Sequence, residues 1–172
     1  MSEVAAGEIA TAAKWRRDTK KILGRARRTT DSSTSASTTL VAVLRLDDIP
    51  ITGGRLHRIS TSPLSLDSST ANDVIRASIL YTTDGTTPTT SSTQLPGGIA
   101  QTSQPNAAAG EFPSAISTTY TPASDETLSL LLCVSRISGG GNCLIQANGT
   151  VTIIEILVTD LGIDPGDTGT DL

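Results

Sequence analysis

Aromatic side chains are nearly missing: Trp15, Tyr81, Phe112 and Tyr120 are the four among 172 residues. A core must therefore be built from Leu, Ile, Val and Ala, and the stacking platforms on which sugar rings and unpaired bases usually rest are scarce. Histidine occurs once, at His57, so a histidine-based metal site or a Ser-His-Asp triad would have to rest on a single ring. A strand histidine at a packing or subunit boundary is the simpler reading. The two cysteines, Cys133 and Cys143, fall in different apolar runs without metal-ligand spacing, which suits two buried thiols better than a disulfide. No apolar run reaches the roughly 18–20 residues that cross a bilayer, and the first residues hold no apolar signal core. The expectation is a soluble chain, made in a cytoplasm, with no membrane partner.

Signatures of chemistry are equally scarce. No G-x-S-x-G elbow, phosphate-binding P-loop or H-E-x-x-H pattern occurs, and "GGG" at 139–141 has no helix after it to make a dinucleotide fingerprint. Asp47 and Asp48 are adjacent, as are Asp125 and Glu126; neighbours on a strand point to opposite faces, so these read as solvated turn residues and not an acid/base dyad. Asp67, Asn72 and Asp73 would supply oxygens for calcium, but polar loop residues bonding their own backbone explain them more simply. "NGT" at 148–150 fits an N-glycosylation acceptor and equally a tight turn. No catalytic, cofactor-binding or metal-ligating residue is expected, and the chain reads as a non-enzyme.

What is present is an uneven distribution of charge. Residues 1–30 carry eight Lys/Arg against three acids, while residues 31–172 carry five against fourteen. That split describes an electrostatically addressed arm on an acidic body, and the acidic body argues against a nucleic-acid partner. In the arm that holds "KWRRDTKKILGRARR" (14–28), Ala12, Trp15, Thr19, Ile22 and Ala26 fall at steps of three and four, which predicts a helix capped by Thr11, stopped near Gly24, and carrying Lys20 and Lys21 in its last turn. So short a helix is marginal alone and would be ordered against a partner.

Residues 29–38, "TTDSSTSAST", have no large apolar side chain and read as a polar linker. Beyond them the apolar period becomes two. Leu40, Ala42, Leu44 and Leu46 share one face of 39–47; Ile75, Ala77, Ile79 and Tyr81 one face of 73–82; Leu128, Leu130, Leu132 and Val134 one face of 127–137. "TVTIIEILVTD" (150–160) is apolar on both faces, as in a central strand or one meeting another subunit. "DGTTP" at 84–88, "GGGN" at 139–142 and "ANGT" at 147–150 predict hairpin turns, and the low-complexity run 95–114 a binding loop or flap. The fold class that follows is all-β: an antiparallel jelly-roll-like β-sandwich with a short N-terminal basic helical arm. Its expected parts are an arm (1–30), a linker (31–38), a sandwich (39–162) and an acidic flexible tail (163–172).

The run "VLRLDDIPITGGRLHRISTSPLSLDSS…YTTDGTTPTTSST" (43–93) resembles small structural proteins of tailed bacteriophages that infect actinobacteria, found among head-decoration and minor tail proteins. "AGEIATAAKW" (6–15) is similar to the openings of phage virion components, with Ala10 a mild departure. The resemblance implies a jelly-roll module, usually homotrimeric, seated on a larger viral lattice. The expected function is then capsid decoration: a cement protein on the exterior of the virion, bound to the major capsid protein. Its expected contact residues are Lys14, Trp15, Arg16, Arg17, Lys20, Lys21, Ile22, Leu23, Arg25, Arg27 and Arg28. The alternative is a minor tail or fibre-tip module that recognises host-surface glycan through 95–114 and the turn at Asp84-Gly85; Phe112 is the one aromatic available to it in that run.

Overall fold

The computed structural model describes residues 20–103, 112–147, 149 and 152–166, in which eleven strands and no helix are formed. In chain order they are β1 (Lys21–Arg28), β2 (Val41–Ile51), β3 (Arg55–Thr61), β4 (Leu64–Ser68), β5 (Val74–Thr82), β6 (Thr93–Ser103), β7 (Phe112–Ser114), β8 (Ser117–Tyr120), β9 (Glu126–Ser138), β10 (Cys143–Gln146) and β11 (Ile154–Ile163). One sheet is continuous, in the order β2-β9-β5-β6. Opposite it lie two shorter ladders, β1-β11-β3-β8 and β10-β4-β7. β3 runs on into β4 across Ser62-Pro63, β7 into β8 across Ala115-Ile116, and β10 is followed by β11. Joined this way the ladders are one sheet with a transverse break; counting β3–β4, β7–β8 and β10–β11 as one strand each, eight long strands numbered afresh in chain order are arranged 1-8-3-6 against 2-7-4-5. That is the antiparallel jelly roll. Pro63 helps to make the break, because it has no N–H to give to a ladder.

The core is aliphatic. Leu128, Leu130, Leu132 and Val134 of β9 and Ile75, Ala77 and Ile79 of β5 pack against Ile59, Leu64, Leu66, Ile145, Ile154, Ile156 and Val158 from the broken sheet. Period two identified β5 and β9 correctly because no bulge interrupts their middles. In β2 the register shifts between Ala42 and Leu44 and again between Leu46 and Ile49. The expected single face of Leu40, Ala42, Leu44 and Leu46 is therefore not kept: Val43, Ile49 and Ile51 enter the core, Ala42 is exposed, and Leu40 joins Leu80, Leu131 and Cys133 in a second cluster. β9, not 150–160, is the strand buried on both faces. β11 is central, between β1 and β3, but alternates regularly between buried and half-buried positions.

Several segments differ from expectation. Lys21–Arg28 is an edge strand paired with β11, from Lys21 opposite Asp160 to Arg28 opposite Ile154, and not the end of a helix. Ala12, Trp15 and Thr19 lie outside the described residues. A bulge between Ile22 and Gly24 inserts one position, which turns Leu23 toward the core and leaves Ile22 exposed, so Ile22 and Ala26 of the expected seam do not share a face. Gly24 is closely packed: a Cβ there would stand 3.0 Å from Ile49 Cγ1 across the sandwich, so the Ile49 side chain would have to shift.

The linker is likewise part of the body. Ser32 N–H donates to the Ile145 carbonyl at 2.9 Å, Ser35 and Cys143 exchange backbone bonds at 2.8 and 2.9 Å, and Ala147 N–H donates to Asp31 Oδ1 at 2.7 Å. Residues 31–35 thus run along β10, with Ser32 and Ser35 buried. Most of the predicted loop 95–114 is also strand. β6 extends to Ser103, and the Gly97-Gly98 pair, with Gly97 at φ 68°, falls at a register shift against β5 that hides the period-two pattern. Residues 104–111 lie outside the described residues. "ANGT" does not close a hairpin, since β10 pairs with β4 while β11 pairs with β1 and β3. Of the predicted tail, Ile163 ends β11 and Asp164 is held by Thr121 Oγ1 at 2.5 Å.

Candidate functional site

The break in the sheet opens a groove of about 540 Å³ on the outer surface, lined by Arg25, Arg27, Ser62, Pro63, Ser65, Pro113, Thr152, Ile153 and Glu155. Each wall has a local cause. In β1 the sequence Arg25-Ala26-Arg27 alternates, so Ala26 points inward and both arginines project from the same face. Glu155 stands opposite Arg27 in the β1–β11 register. Its Oε2 accepts from Arg25 Nε at 2.7 Å and lies 2.5 Å from the second guanidinium nitrogen of Arg25 and 3.2 Å from Arg27 Nε. Two cations share one carboxylate, and the groove keeps a net positive charge.

Ser62 bridges the break: its hydroxyl donates to the Ile153 carbonyl at 2.6 Å and accepts from Glu155 N–H at 3.0 Å. Ser65 sits on β4 between Leu64 and Leu66, which both enter the core, so its side chain turns toward the groove. It is 4 % exposed, and its hydroxyl has no hydrogen-bond partner.

The structure separates the expected contact residues into groups. Lys14, Trp15, Arg16 and Arg17 lie outside the described residues. Lys20, Lys21 and Ile22 are exposed, Ile22 at 60 %. Arg25 and Arg27 meet at the groove. Leu23 packs on the core, and Arg28 turns back on the protein, donating to the carbonyls of Thr30 and Val43 at 3.0 Å each and to that of Asp31. Both are half-buried and make contacts within the protein. Glu155 and Ser65 were missed by sequence reading. They are far from the basic run in the chain, and neither has a local signal.

The remaining polar candidates are accounted for individually. His57 is fully buried on β3, opposite Asp160 of β11 and Tyr120 of β8, and neither ring nitrogen makes a hydrogen bond of good geometry. Burial drives its pKa below the ordinary value, against the opposing pull of Asp160 and the backbone carbonyls of Tyr120 and Arg55. Arg55 pairs with Asp160 at 2.8 Å. Tyr120 donates to Glu126 at 2.8 Å, and burial first, then that bond, pushes its phenol up to about 12.

Asp67 and Asp73 do not converge on a cation. Asp67 accepts from Gln146 Nε2 at 2.6 Å, whereas Asp73 is buried and accepts from Ser68 Oγ, Gly140 N–H and Gly141 N–H at 2.5, 2.9 and 2.9 Å. Burial would raise the pKa of Asp73, but these three donors and the charge of Arg136 outweigh it, and the net direction is down. Among the described residues no group of three or more His, Cys, Asp or Glu is placed to hold a metal ion. Cys133 and Cys143 are both free and buried, and burial pushes the Cys133 thiol up to about 11.

No protein-family model matches the chain, and no curated protein matches it. Among solved structures it is similar to Eiger TNF from S. frugiperda, at 15% identity and TM-score 0.41, over 88% of this chain and all of that one. It is also similar to a chain of the infectious bursal disease virus Gx strain, at 10% identity and TM-score 0.46, and to the VP2 subviral particle of that virus, at 10% and 0.38. The alignments take in 87% of this chain in both cases, but 38% and 43% of the viral chains.

Proposed function

We infer that the chain is a non-enzymatic structural protein of a virion, a capsid decoration protein that binds the assembled phage head as a homotrimer and reinforces it. The observation that carries this reading is the position of the cations. Lys21, Arg25 and Arg27 are exposed along one edge strand of an otherwise acidic sandwich, with Lys20 exposed just before it, continuous in sequence with Lys14, Arg16 and Arg17. Such an edge supplies an attachment surface for an acidic lattice, and three copies acting together turn weak contacts into firm binding. Binding to the assembled shell and not to its loose subunits stabilises the shell by mass action.

The test is co-sedimentation of the full chain with purified heads, comparing the wild type with a Lys20→Glu/Lys21→Glu/Arg25→Glu/Arg27→Glu variant. The wild type is expected to saturate the heads at hundreds of copies and to raise the temperature at which they open, with both effects lost in the variant. Undiminished decoration by the variant would remove β1 as the attachment strand. Saturation at only a few copies would point to a tail location.

A further inference from the structure

We propose that the groove at the break in the sheet is a binding site for a carboxylate-bearing peptide segment, displayed by the partner that β1 addresses. This rests on the reading of β1 as the attachment strand and names what that strand recognises.

Three features select the ligand. The first is charge. Arg25 and Arg27 both engage Oε2 of Glu155, so the site offers about one unit of uncompensated positive charge. That matches a carboxylate and falls short of a dianionic phosphate. The arginines are about half exposed, at 50% and 45%, so they remain accessible while Glu155 holds them in place. Orientation before binding lowers the entropy lost on binding, and a guanidinium's planar fork suits a carboxylate's two oxygens.

The second feature is the Ser65 hydroxyl. It lines the groove, is 4 % exposed and is without a partner. A buried hydroxyl without a partner carries a desolvation cost that a ligand acceptor or donor would relieve. The third is the wall. Pro63, Pro113 and Ile153 provide apolar surface on which a peptide chain finds ordinary packing, and none of the described lining side chains is aromatic. The volume, about 540 Å³, falls within the roughly 300–1,000 Å³ typical of compact ligand sites.

The experiment is fluorescence anisotropy of a labelled, end-blocked tetra-aspartate peptide titrated with the full chain at low salt. Saturable binding of one peptide per chain is expected. Arg25→Gln/Arg27→Gln should weaken it about ten-fold or more, and Ser65→Ala, which keeps both charges, about three-fold. Arg58→Gln, which removes an exposed cation of β3 outside the groove, should leave it unchanged. Binding that does not saturate, equal weakening by Arg58→Gln, no weakening by the double Gln variant, or much tighter binding of a phosphoserine peptide of the same length would each overturn the site. The titration contains no virus particles. Peptide binding without head binding would thus defeat the attachment reading alone, and head binding undiminished by the double Gln variant would defeat the groove alone.

Discussion

The two sheets of this sandwich are built to different standards. The continuous sheet is organised around β9, a thirteen-residue strand in which eight consecutive residues, Leu128 to Ser135, are buried. The opposing sheet is cut across its middle, carries His57 and Asp160 on its inner side, and is joined at the cut by the Ser62 hydroxyl. Unbroken ladders hold the fold, while the interruption exposes polar groups and makes a groove. Under the proposed function, binding residues placed at the seam would leave the main ladder undisturbed.

Substitutions can sharpen or break this contrast. The largest effect is expected in β9. Leu132→Ala removes a fully buried side chain and should cost about 2–5 kcal/mol, read from the midpoint of urea unfolding. The next concerns His57. Its folded pKa lies below its unfolded value of 6.5, so the protein should be fully stable above that pH and lose stability as pH falls through and beneath it. Thermal unfolding at about pH 7.5 and pH 5.5 reads the loss. His57→Gln should remove most of the slope, and an unchanged slope would place the titrating group elsewhere. Ser62→Ala deletes the bridge across the break and should cost about 1 kcal/mol; a cost equal to that of Leu132→Ala would mean that the seam is as essential as the ladder. The smallest effect is expected from Arg27→Gln, whose partly exposed ion pair should contribute under about 1 kcal/mol to unfolding.

The parts of the fold that were legible are those where alternation runs unbroken. Ile75, Ala77 and Ile79, and Leu128 through Val134, declare their faces because each strand keeps its register through those residues. Bulges hid the rest. The extra position at Ile22–Gly24 breaks the period-two pattern of β1, with Ile22 outside and Ala26 inward, and Gly97-Gly98 concealed β6 inside a stretch that reads as loop. Residues 31–38 read as a linker because they are polar, yet Ser32 and Ser35 are buried through bonds to β10 that only the folded chain provides. For the site, charge alone located Arg25 and Arg27. It did not distinguish them from Arg28, whose direction is set by carbonyls of Thr30, Asp31 and Val43, and it gave no sign of Glu155, brought alongside from 128 residues past Arg27 by strand pairing.

The pairing of β1 with β11 also sets an order of events during synthesis. Lys21 meets Asp160, so the first strand of the described residues waits for the last of them before it has a neighbour to zip against. Contacts so distant along the chain close slowly. The cationic strand should therefore be left unprotected on each nascent polypeptide until translation has passed Ile163, and holdase chaperones would have their longest opportunity there.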